Sequence, residues 1–202
     1  MNSNLLIKAN VFIKNRLIEF SGSLLVLISI FLIISTASYT PDDPNFIYSP
    51  ENVKIKNLGG FYGSVIADFL LQSIGLVSFF VTITILSWGF SLIYYKKINN
   101  SLAKIFYTLV YIILGTTFIN IFLNNSFWLI DNGNGGFVGR IIKENIYLFS
   151  DLYDNQYIIF SILLLALIFF VLSLSLQIKM FFKIFLIPLI VLKKILKIFK
   201  KK

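Results

Sequence analysis

Residues 69–95 read FLLQSIGLVSFFVTITILSWGFSLIYY, a charge-free stretch held between Asp68 and Lys96. As a helix it would run about 40 Å, more than the roughly 30 Å of hydrocarbon in a bilayer. Three other stretches share this character: 20–41 between Glu19 and Asp42, 105–130 between Lys104 and Asp131, and 155–178 between Asp154 and Lys179. Each exceeds the roughly 20 apolar residues that a crossing requires. No segment alternates with period two over barrel-length strands, so helices, which satisfy their own backbone groups, are the spanning elements. The expected spans are 20–38, 70–93, 105–127 and 157–178.

Composition points the same way. Of 202 residues, 57% are hydrophobic and only 13% charged, against about 25% charged in a soluble domain. The mean hydropathy is +0.86. One soluble core cannot hide that much apolar surface, so the solvent is lipid. Histidine and cysteine are both absent. That excludes disulfides, thiol nucleophiles and imidazole bases, and nearly all zinc or haem ligation. No cofactor and no metal site is expected. The first span is too long for a signal-peptide core despite the small residues STAS at 35–38, so it is read as retained.

Charge sets the expected orientation. Lys8, Lys14, Arg16, Lys96, Lys97, Lys104 and every lysine from Lys179 onward lie at the ends or in the middle connection, with Glu19 as the only acid there. The other two connections carry Lys54, Lys56, Arg140 and Lys143 against Asp42, Asp43, Glu51, Asp68, Asp131, Glu144, Asp151 and Asp154. Cationic loops stay in the cytoplasm, so both termini are expected inside and both long connections outside. The net charge of +9 then needs no nucleic acid; the lysines face anionic lipid. The segments divide into a cytoplasmic start at 1–19, a membrane domain at 20–178, and a basic tail or linker start at 179–202. The tail's lysine spacing suggests an amphipathic helix on the inner leaflet.

An internal repeat adds symmetry. GGFYGSVI at 59–66 returns as GGFVGRII at 135–142. Gly59, Gly60, Phe61 and Gly63 recur as Gly135, Gly136, Phe137 and Gly139, each set ahead of the second span of a pair. The chain therefore reads as two hairpins of the same orientation, each with a short external helix, related by a pseudo-two-fold axis along the membrane normal. Adjacent glycines permit sharp turns, and each G-x-x-x-G pair permits close backbone approach. The plainer alternative is a glycine turn with no partner. Gly75, Ser78, Thr82 and Gly89 fall at helical steps in the second span and read as a small-residue packing face. Asp42, Asp43 and Glu51 read as a solvated turn, their spacing unlike a calcium loop. No ionisable residue lies deep in a span, which argues against a pump or coupled transporter.

Two motifs carry a family resemblance. Tyr39-Thr40-Pro41-Asp42-Asp43-Pro44 follows the first span, and Asn57, Gly60, Gly63, Ala67 and Asp68 form an Asn-x-x-Gly-x-x-Gly-x-x-x-Ala-Asp stretch leading into the second. Both resemble the N-terminal membrane domain of FtsK-type DNA translocases, over roughly residues 15–180. The resemblance implies an inner-membrane, septal protein of cell division and chromosome segregation. It further implies a homo-oligomer (a hexamer) and division-machinery membrane proteins as partners, with DNA reached only through a motor domain. It marks Tyr39, Pro41, Asp43, Pro44, Asn57 and Asp68, beside the two glycine elements and the small-residue face, as candidate interaction or packing residues. No G-x-x-x-x-G-K-[ST] phosphate loop occurs, so these residues are not expected to hydrolyse ATP. The lysine-rich end favours a piece of a longer polypeptide over a stand-alone copy. A small four-span transporter or channel subunit is the alternative.

Overall fold

The computed structural model describes residues 3–48, 54–123, 129, 132–147 and 155–175. These form six helices: α1 (Ser3–Ala37), α2 (Gly60–Ile74), α3 (Val77–Tyr95), α4 (Ser101–Phe122), α5 (Gly136–Tyr147) and α6 (Gln156–Ser173). Four of them, α1, α3, α4 and α6, are long and apolar enough to cross a membrane. The protein is thus an all-α polytopic membrane fold, with no strand among the described residues. The stretch VTITI at 81–85 is β-branched at all five positions, yet it is helical. In lipid an unpaired strand edge would leave backbone groups without partners, and that cost overrides propensity.

The first half packs as α1 against α3 with α2 laid on α1; the second packs as α4 against α6 with α5 on α4. The halves join through α2 and α5, and more sparsely through α3 with α4 and α6. The described parts of both long connections, with α2 and α5, therefore lie at one end of the bundle, the loop end. The short 96–100 turn lies at the other, where Lys96 and Asn100 take the left-handed conformation (φ 56° and 51°).

Much of the interior is polar and small, while most of the large aliphatic side chains face outward. Ser29, Ser35, Thr36, Ser78, Thr82, Thr84 and Thr116 are buried, whereas Leu24, Leu27, Leu164 and Val171 are exposed. Lipid is as apolar as leucine, so helices associate through close packing and local hydrogen bonds. Gly22 and Gly89 bring α1 and α3 together: a Cβ on Gly22 would sit 2.8 Å from the Gly89 carbonyl oxygen. Seven residues on in α1 and seven back in α3, the Ser29 hydroxyl donates to the Thr82 carbonyl at 2.6 Å. At the far end Lys96 Nζ lies 2.5 Å from Glu19 Oε1, closing the same seam with an ion pair. On the other side of α3, Thr84 meets the Tyr111 hydroxyl at 3.0 Å. The Trp88 indole donates to the Ser173 carbonyl at 2.9 Å, and Ser175 donates through its amide to Ser87 Oγ at 2.8 Å.

Two expectations change. The span expected at 70–93 is not one helix: α2 ends at Ile74 and α3 begins at Val77. The break is built by Gly75, whose φ of 58° and ψ of −144° no continuing helix permits. Gly75 therefore does not belong to a helical face with Ser78, Thr82 and Gly89. The helix that carries the first span is also longer than the span itself, because α1 runs unbroken from Ser3 past the charged residues up to Glu19. The basic tail expected at 179–202 lies outside the described residues.

Candidate functional site

The loop end gathers most of the motif residues into one hydrogen-bonded unit. Asp43 is only 2% exposed. Its two carboxylate oxygens accept the backbone amides of Lys56 and Asn57, each at 2.8 Å. A buried carboxylate is costly unless hydrogen-bonded, and two amide donors supply that compensation. The reading of Asp42 and Asp43 as one solvated turn is therefore corrected. Asp42 is exposed and pairs with Lys56 Nζ at 3.2 Å, while Asp43 is a structural acceptor. Glu51, the third member of that turn, falls outside the described residues.

Asn57 extends the unit downward into the span. Its Nδ2 donates to the Ser35 carbonyl at 2.8 Å, and its Oδ1 accepts from the Gly59 amide at 2.9 Å. Ser38 Oγ accepts the Leu58 amide at 3.0 Å. Ser64 donates to the Pro44 carbonyl at 2.7 Å, which clamps the Pro-Asp-Asp-Pro segment onto α2. Pro41 is exposed and Pro44 is buried.

The two glycine elements use one device twice. Gly59 and Gly63 rest on Ser35 of α1, where added Cβ atoms would meet its Oγ at 2.5 and 2.8 Å. Gly135 and Gly139 rest on Thr116 of α4, where they would meet its carbonyl oxygen at 2.5 and 2.4 Å. The middle glycines, Gly60 and Gly136, have φ of 65° and 66°. Each donates its amide three residues back, Gly60 to Asn57 and Gly136 to Gly133, both at 3.0 Å. Gly60 faces open space, but Gly136 lies against the backbone of Ser73, Ile74 and Gly75. Phe61 and Phe137 are about half exposed, and Arg140 stacks over the Phe137 ring at 5.7 Å.

A polar chain then links the halves. The Tyr39 hydroxyl donates to Asp68 Oδ1 at 2.9 Å, Gln72 Nε2 donates to the Tyr39 oxygen at 3.4 Å, and Asn132 Nδ2 donates to Gln72 Oε1 at 2.9 Å. Beneath it Tyr39, Ala67, Leu71 and Leu129 form an apolar cluster. Leu76 donates its amide to the Asn134 carbonyl at 2.9 Å. Sequence reasoning singled out Tyr39 and Asp68 but not Ser35, Gln72, Thr116 or Asn132. The signal available was a small hydroxyl residue in the loop-side third of a span helix, and an amide residue near each loop. Ser78 and Thr82 are buried in the span interior, away from this unit. No group of metal-ligating side chains occurs among the described residues.

Such an arrangement defines a polytopic membrane domain: two repeated hairpins, each with a glycine-seated helix at the loop end. The chain belongs to the family described as the 4TM region of DNA translocase FtsK/SpoIIIE, whose model matches residues 14–186. It is 30% identical over 156 residues to a DNA translocase FtsK of Rickettsia prowazekii, covering 77% of this chain and 19% of that protein. It is 31% identical over 94 residues to one of Azospirillum brasilense, covering 46% and 15%. With one of Agrobacterium fabrum it shares 28% over 123 residues, covering 61% and 14%. The chain thus spans less than a fifth of the length of these relatives. No solved structure matches it.

Proposed function

We propose that this chain is the membrane anchor and assembly module of a septal DNA translocase, acting in cell division and chromosome segregation. Both termini face the cytoplasm across the inner membrane. The module associates with copies of itself, as a hexamer, and with membrane proteins of the division machinery. DNA is reached only through a motor domain, which the matched 4TM region does not include. The relatives' naming as DNA translocases supports this role.

One observation carries the anchor reading over the transporter one. Among the described residues, Asp43 is the one charged side chain that is buried, and it lies in the loop unit rather than in a span. A coupled transporter normally places ionisable groups along its pathway at mid-membrane depth. Here a crevice of about 220 Å³ between α3, α4 and α6 is lined by residues such as Val77, Phe80, Tyr111, Phe118 and Leu167, none of them charged. The network instead ties two hairpins into one rigid unit. A fluorescent fusion to residues 1–202 is expected to concentrate at midcell in dividing bacteria. Uniform envelope fluorescence at good expression would sink the septal role.

A further inference from the structure

The segment between α1 and α2 holds an apolar fingertip that the anchor role does not use. Asn45 closes it: its amide donates to the Tyr48 carbonyl at 2.7 Å. Its Oδ1 accepts the amides of Ile47 and Tyr48 at 2.8 and 2.6 Å. This side-chain turn fixes the backbone while leaving the tip uncovered. Phe46 is 81% exposed and Ile47 98% exposed. A hydrogen-bonded turn that presents two large apolar side chains with no cover among the described residues calls for an apolar environment.

The depth of that tip follows from the α1–α3 register. Gly22 packs on Gly89 and Ser29 on Thr82, antiparallel. Six residues on in α1 and six back from Thr82, Ser35 comes level with Leu76, just before α3 begins. The 19 residues of α3 span about 28 Å, close to the hydrocarbon thickness. Ser35 therefore marks the hydrocarbon edge. Gly59 and Gly63 rest directly on it, and Ser64, the next residue, holds the Pro44 carbonyl. The base of the finger is thus pinned at the hydrocarbon edge, and its tip, three residues on, lies within about 10 Å of it.

Other exposed apolar side chains belong to the same loop end. Ile34, next to Ser35, is exposed on α1, and Leu58, Phe61 and Tyr62 are exposed on and beside the first turn of α2. Tyrosine and phenylalanine at this level match the aromatic belt of a membrane interface. We propose that the tip formed by Phe46 and Ile47, with Leu58 and Tyr62, inserts into the headgroup–acyl boundary of the bilayer at the loop end. It fixes the tilt and depth of the first hairpin there. The occupant is lipid.

The chain lacks cysteine, so single-site spin labels test this cleanly. The chain is reconstituted into vesicles of phosphatidylethanolamine and phosphatidylglycerol, with Ile47→Cys, Leu58→Cys and Tyr62→Cys labelled separately. A label at Lys8→Cys, on the part of α1 that runs past the Glu19–Lys96 pair, serves as the aqueous reference. The ratio of oxygen to nickel-chelate accessibility is expected to be several-fold higher at 47, 58 and 62 than at 8. A ratio at 47 equal to that at 8 would place the tip in water and overturn the proposal. A label at 47 shielded from both reagents would overturn it too, in favour of a protein neighbour.

Discussion

Gly75 and Gly136 meet backbone to backbone where the two halves of the chain join. A Cβ on Gly136 would lie 2.5 Å from the Gly75 amide nitrogen, and one on Gly75 would lie 2.0 Å from the Asn134 carbonyl oxygen. Both residues have positive φ, 58° and 66°. The contact ends α2, starts α5 and lets the Asn134 carbonyl take the Leu76 amide. The repeat is broken at this place: a Cβ on Gly60, the counterpart of Gly136, would meet nothing within 4 Å.

That asymmetry separates strain from packing. Gly60→Ala should cost only the left-handed backbone penalty, roughly 1–2 kcal/mol. Gly136→Ala should add overpacking of roughly 1–3 kcal/mol, as should Gly75→Ala. Thermal unfolding of the purified chain in detergent should rank Gly60→Ala clearly above the other two. Equal melting temperatures for all three would mean that the α2–α5 junction yields more easily than its distances imply.

Asp43 and Asp42 differ by one position and by burial. Asp43→Ala leaves the amides of Lys56 and Asn57 without an acceptor in a dry site, at roughly 1–3 kcal/mol per group. Asp42→Ala removes an exposed ion pair with Lys56, worth about 0–1 kcal/mol. Limited proteolysis of the 41–58 segment should therefore quicken strongly for Asp43→Ala and hardly for Asp42→Ala. Similar cleavage rates for both variants would show that the carboxylate is not what holds the loop.

The spans, the repeat and the two loop motifs were legible because lipid imposes long charge-free runs and turns impose glycine and proline. The break at Gly75 was not. A glycine inside an apolar run is compatible with a helix face, and only contact with Asn134 and Gly136, some sixty residues away in sequence, turns it into a corner. Asp43 was hidden for the same reason: turn composition is identical whether a carboxylate meets water or two backbone amides. Ser35 and Thr116, the seats of the glycine elements, carry no motif, since one small hydroxyl residue resembles any other near a helix end.

The α1–α3 seam should be internal to one chain. Cysteines placed at Ser29 and Thr82, whose Oγ and carbonyl lie 2.6 Å apart, should crosslink in the monomer band under mild oxidation. Adding Gly89→Leu should reduce that yield, because a Cβ there already falls 2.8 Å from the Val26 side chain and 2.9 Å from the Gly22 carbonyl. The overpacking cost is about 1–3 kcal/mol. Crosslinking that appears only in dimers would reassign the seam to neighbouring copies.

Topology is the remaining step from bundle to membrane, and charge alone argues it. At the terminal end the Glu19 carboxylate is held between Lys96 and Arg16, so the one acid there is neutralised and the surface stays cationic. At the loop end Asp42 is exposed beside Lys56, and the sequence is acid-rich. Cationic ends remain in the cytoplasm because translocating lysine and arginine across the energised membrane is disfavoured. The two ends can be told apart with an impermeant thiol reagent on intact cells, since the chain has no cysteine of its own. Cysteine at Asp42 should label without lysis. Cysteine at Asn99, exposed in the short turn between α3 and α4, should label only after lysis. Labelling of Asn99→Cys in intact cells, with Asp42→Cys protected, would invert the bundle and place the termini outside.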